Sequence, residues 1–178
     1  MDIRAQLLKE HSRRNAEAIA AHVGGDADRF AVLMHLLLHD DWLVGQRAAY
    51  SMALVCERHP HLATPYVDCL LHTLDAPVHE AVQRNSIRTL QFCELPEPLH
   101  GRITESMFAR VADPKAPLAQ RAFAITVALR MATTYPDLQP ELRLLLEDAL
   151  RNDPGPAVRS RATKALARLR HTSANAPR

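Results

Sequence analysis

One dipeptide returns on a ruler: Gln46-Arg47, Gln83-Arg84 and Gln120-Arg121 stand 37 residues apart, and a looser copy, Ser160-Arg161, follows 40 residues later. A guanidinium is a planar fork of donors that fits a carboxylate, a phosphate or a set of carbonyl oxygens. A row of such forks has two readings. In one, each Arg satisfies an Asp or a helix-end carbonyl of a neighbouring unit. In the other, the row is a path for phosphates or acidic side chains, which Arg88, one helical turn beyond Arg84, widens. Arg47, Tyr50, Arg84, Arg88, Arg121 and Arg161 are the candidate binding residues, with the arginines on charged groups and Tyr50 supplying apolar contact.

Other residues with chemical potential are less organised. Of ten histidines, His35 and His39 have the i, i+4 spacing of helical zinc ligands, but the residues between them are all Leu and no Glu follows His35. Cys56 with His59, and Cys69 with His72, sit three apart on helical stretches, where no zinc knuckle forms. No metal site and no cofactor is expected. There is no nucleophile elbow, no phosphate-cradling Gly loop and no pair of carboxylates outside helix ends, so the chain reads as non-catalytic.

The elements that position these residues follow from composition and punctuation. The chain has 178 residues, 47% hydrophobic and only 4% aromatic, with Leu and Ala dominating. That composition favours helices over strands, and no segment alternates with period two. Gly24-Gly25 closes an N-terminal helical cap, residues 1–25, with a break weighed near Ser12, where Ser12-Arg13-Arg14-Asn15-Ala16 faintly echoes Gln83-Arg84-Asn85-Ser86 as in a worn leading repeat. Helix pairs then follow over about 26–60, 61–95, 96–136 and 137–170. Asp26 and Asp41 are placed to cap helices, Thr64-Pro65 to start one, and Asp75, Asp113 and Asp153 to turn the chain. Phe30, Leu33, Met34, Leu37 and Leu38 give the first pair a buried stripe. Residues 171–178 read as a disordered tail. A lone pair leaves its apolar face uncovered, so the pairs must stack.

Charge is uneven. Residues 151–178 carry seven basic side chains and one acid, a net of +6 within a whole-chain charge of +2. The last helix therefore suits a polyanion, or simply a solvated end of a stack. Three cysteines, an odd number, suit a reducing compartment. The charged N-terminus lacks a signal-peptide core, and His35 and His39 interrupt the longest apolar run. The expectation is a cytoplasmic protein outside the membrane.

Asp153, Val158-Arg159, Ala162 and Ala165-Leu166 fall at the offsets of Asp, Val-Arg, Ala and Ala-Leu in HEAT repeats, which the fourth unit resembles. The Gln-Arg units are looser relatives with nearly the usual HEAT period. The resemblance covers about 26–170. It implies an all-α, right-handed α-α superhelix of about four helix pairs plus an N-terminal helix. In such folds the second helices line a concave face, and Asp and Arg of neighbouring units form a ladder. The chain is also broadly similar in architecture to HEAT-like DNA-alkylation-repair proteins, which hold duplex DNA on a basic concave surface. Their catalytic Asp and flanking tryptophans have no counterpart; Trp42 is the only tryptophan. The leading expectation is a scaffold for a protein partner. The alternative is duplex nucleic acid bound by the same row with Arg159, Arg161 and Lys164 on phosphates, and an enzyme is the weakest reading.

Overall fold

The computed structural model describes residues 1–152 and 155–174, with side chains as far as Arg170. Asp153 and the last four residues of the expected tail lie outside them. Among the described residues there are ten α-helices and no strand. The chain divides into two compact units, Met1–Pro96 and Glu97–Arg178.

The first unit holds α1 (Ile3–Lys9), α2 (Arg13–Val23), α3 (Ala27–His39), α4 (Trp42–Arg58), a 3-10 helix (Pro60–Tyr66), α5 (Val67–Thr73) and α6 (Glu80–Leu90). The N-terminal helical cap is two helices, with the break at Ser12 that the sequence reading weighed. Ser12 caps the second, its hydroxyl accepting from Asn15 N at 3.1 Å. Residues 1–25 thus contain a helix pair of the same kind as those that follow. Gly24 ends it with φ 53°, a backbone angle that suits glycine.

The second helices α2, α4 and α6 lie side by side, with α4 in the middle and α3 also packed on it. Being surrounded, α4 is buried nearly all round: Val44, Ala48, Ala49, Met52, Val55 and Cys56 are each at most 1% exposed. A side chain at Gly45 would sit 3.1 Å from Leu37 O, so glycine there lets α4 approach the end of α3. Across α3, Phe30, Leu33, Met34 and Leu37 are buried as read, while Leu36 rather than Leu38 completes the stripe. Tyr66 packs its ring edge-on to Phe30, with centroids 5.7 Å apart. Burial of each such side chain stabilises by about 1.5–3 kcal/mol.

Some boundaries differ from the sequence reading. Thr64-Pro65 does not open an α-helix; Pro65 lies within the 3-10 helix, and α5 begins at Val67. The cap of α6 is His79, whose Nδ1 accepts from Ala81 N, and α6 ends at Leu90.

The second unit holds a 3-10 turn (Glu97–Leu99), α7 (His100–Ala112), α8 (Leu118–Thr134), a 3-10 turn (Pro136–Leu138), α9 (Gln139–Arg151) and α10 (Pro156–Ala174). Within it α7 packs on α8 and α9 on α10, while α7 meets α9 and α8 meets α10. First helices form one layer and second helices the other. Ile103, Met107, Ile125, Ala128, Leu142, Leu146, Val158 and Ala162 fill the space between them. Val158, Ala162, Ala165 and Leu166, which carry the HEAT resemblance, are all buried. The backbone of α10 continues as helix to Ala174, past the expected end at Arg170.

Candidate functional site

An α-helix leaves its last four carbonyls without helical donors. In each of the first four pairs, a polar side chain early in the second helix reaches back to carbonyls in or just past the last turn of a first helix. Asn15 Nδ2 donates to Gln6 O and Glu10 O, both at 2.9 Å, at the end of α1. Arg47 Nη1 donates to Leu7 O at 2.8 Å, again on α1. Gln83 Nε2 donates to Leu74 O and Ala76 O beyond α5, both at 3.3 Å. Arg121 Nη2 donates to Val111 O in the last turn of α7 at 3.0 Å. The recurring dipeptide therefore does one structural task with either of its members. Arg121 is 4% exposed and its Nε is buried without a hydrogen-bond partner. It is correspondingly no part of an exposed binding row, contrary to the sequence expectation.

The exposed chemistry on the second helices is different. In the first unit Arg88 of α6 donates from Nε to Glu57 Oε1 of α4 at 2.9 Å, and its Nη2 bonds the same oxygen. Its guanidinium carbon stands 5.7 Å from the centroid of the Tyr50 ring. On α2, Arg13 Nε bonds Glu17 at 2.8 Å. The Arg13 pKa is raised, first by that hydrogen bond and then by the charges of Glu17, Tyr50 and Glu57. Half-buried Arg84 has no hydrogen bond or ion pair among the described residues. Two ion pairs, Arg13–Glu17 and Arg88–Glu57, thus stand on the second helices, the latter beside Tyr50.

The second unit repeats the aromatic–arginine pairing. Arg161 of α10 lies over Phe123 of α8, 4.9 Å from the ring centroid, and donates to Thr126 Oγ1 at 2.5 Å. In both units the arginine follows its aromatic by 38 residues. Cation–π contacts at such sites contribute about 0.5–1 kcal/mol. Beside Arg161, a groove of about 450 Å³ between α8 and α10 is lined by Lys164, Arg168, Ser160 and Thr126 and, among the described residues, by no acid. Arg159 borders a neighbouring depression with Thr163 and Lys164.

Glu57, Asn15 and Phe123 escaped the sequence reading. The 38-residue interval shared by Tyr50–Arg88 and Phe123–Arg161 was a signal for Phe123; nothing in the sequence marks Glu57.

The rings of His35 and His39 are 4.9 Å between centroids. Cys56 is buried, and burial pushes its thiol pKa up. His72 Nδ1 bonds Asp68 O at 2.8 Å. Among the described residues no three His, Cys, Asp or Glu side chains gather into a metal site.

Paired helices whose second members adjoin in a row define an α-helical repeat protein. Comparison with known families matches the HEAT repeat domain over residues 3–169, and the chain belongs to that family. The match includes α1 and α2, so the family extends beyond residues 26–170. HEAT repeats generally act as protein-interaction scaffolds. Comparison with curated proteins and with solved structures gave no match. Among the described residues no helix is long and apolar enough to cross a membrane.

Proposed function

We propose that this protein is a non-catalytic scaffold that holds a protein partner on the face formed by α2, α4 and α6. One observation carries this reading: Glu57 is bonded to Arg88, whose guanidinium lies over the ring of Tyr50, and Glu17 is bonded to Arg13 on the adjoining α2. A duplex presents one negative charge per about 1.7 Å and selects for an unbroken positive surface. Acids among the arginines repel it, whereas mixed charge around an aromatic anchor is characteristic of protein interfaces. Tyr50 and Arg88 are the anchors, and Arg84 offers a guanidinium not engaged elsewhere. An odd number of cysteines, two of them buried, suits a cytoplasmic, reducing setting.

A second reading, duplex nucleic acid, is supported by α10 alone, where Arg159, Arg161, Lys164, Arg168 and Arg170 occur with no acid among residues 156–170.

The test is binding of a labelled duplex DNA at low and moderate salt, with the protein and with the Arg84→Ala/Arg88→Ala double variant. Proteins retained by immobilised wild type and by Tyr50→Ala are compared in parallel. The scaffold reading expects no duplex binding attributable to the two arginines and a retained partner lost with Tyr50→Ala. Salt-sensitive duplex binding that disappears in a still-folded double variant overturns it.

A further inference from the structure

The first-helix layer of the second unit carries a groove between α7 and α9, of about 850 Å³. That is within the range of sites that take a ligand or a few side chains. Phe108, Leu138 and Leu145 give it an apolar floor. Glu97, Glu105, Asp137 and Glu141 surround that floor, and none of the four has a hydrogen bond or ion pair among the described residues. Some acids elsewhere are paired, Asp40 with Arg4, Glu17 with Arg13 and Glu57 with Arg88; here four that are unpaired among the described residues converge on one groove. Among the described residues no Lys or Arg lines the groove and the one basic residue is His100, whose Nδ1 shares a hydrogen bond with Tyr135 Oη at 2.8 Å.

Four like charges around an apolar floor repel one another, and a cationic partner with apolar side chains relieves both that repulsion and the exposure of the floor. The furrow between two packed helices suits a helix that projects anchors at i, i+3, i+4 and i+7. We infer that this groove docks a basic amphipathic segment of a partner protein. Its apolar side chains would lie on Phe108, Leu138 and Leu145, and its Lys or Arg residues on the four carboxylates. The site is separate from the α2–α4–α6 face and does not depend on that assignment. The sign of its charge excludes nucleic acid as the occupant.

The experiment uses fluorescence anisotropy with a labelled amphipathic Leu/Lys peptide and its Leu/Glu counterpart. Each is titrated with the full chain and with a Glu105→Lys/Glu141→Lys variant. Both substituted positions are exposed on helices, and circular dichroism checks that the fold survives. The expected result is binding of the Lys peptide only, weakened about tenfold or more by the two substitutions and reduced by added salt. Equal binding of the two peptides, or unchanged binding by the variant, overturns the proposal. Sedimentation of the protein alone provides the last arm: self-association abolished by the same substitutions would give the groove to a second copy of this chain, and would also overturn it.

Discussion

Arg47, Arg84 and Arg121 hold the same place in one dipeptide and meet three environments. Arg47 is half-buried on Leu7 O, Arg121 is enclosed on Val111 O, and Arg84 is half-buried with no partner among the described residues. The dipeptide spacing made all three visible but could not rank them. Burial depends on helix phase and on the neighbouring backbone, neither of which a two-residue match contains. The same limit hid Glu57, which meets Arg88 from 31 residues upstream. A consequence is that one truncation should have unequal effects along the series. Arg121→Ala removes a buried stem and leaves the Val111 carbonyl unsatisfied, and should destabilise by about 2–3 kcal/mol. Arg84→Ala removes no bond and should stay within about 1 kcal/mol. Urea unfolding of the two variants measures the difference. A greater loss at Arg84 than at Arg121 would refute the assignment of Arg121 as the structural member.

At the scale of elements, caps divide what was legible from what was not. Asp26 and Asp41 accept from backbone N–H groups at the starts of α3 and α4, as their residue type indicates. Asp113 accepts from Lys115 N in a turn, and α6 is capped by an imidazole, which falls outside the usual capping set. The chain around Pro65 stays 3-10 because a proline within an α-helix lacks its donor and crowds the carbonyl four residues back. The anchoring of α1 is a tertiary effect. Arg4 forks onto Asp40 at the end of α3, at 2.6 and 2.9 Å, and Asp40 also accepts from Asp41 N. The Arg4 hydrogen bond, ahead of the backbone one, holds the Asp40 pKa down at about 2. A depressed carboxyl pKa contributes stability that is present above the unfolded value and lost as pH falls through the folded one. The melting-temperature difference between wild type and Asp40→Asn should therefore be constant above about pH 4 and shrink towards zero near pH 2. A difference that persists unchanged at pH 2 would mean that the Arg4 fork does not act through the Asp40 charge.

For the whole chain, the 37-residue period made the architecture legible because every unit repeats the same helix-pair problem. The first pair showed only as a faint echo over Ser12–Ala16, because its carbonyl-capping residue is Asn15 and the Gln-Arg signature is absent although the task is the same. Repeat proteins are stabilised by each unit and by its nearest neighbours, so a block of adjoining pairs with its own core should fold as a cooperative body. Residues 1–96 form such a block: Ile19, Phe30, Leu33, Met52, Leu70, Ile87 and Leu90 are at most 1% exposed, and the block ends at Pro96 before the 3-10 turn at Glu97. Expressed alone, this fragment should be helical by circular dichroism and unfold in one transition in urea. Its slope against denaturant should be roughly half that of the full chain, because the slope follows the surface exposed. Its stability should be lower, since a smaller body buries a smaller fraction of its surface. A helical signal lost gradually, without a transition, would show that the first three pairs need the remaining helices to fold, and that cooperativity belongs to the chain and not to the unit.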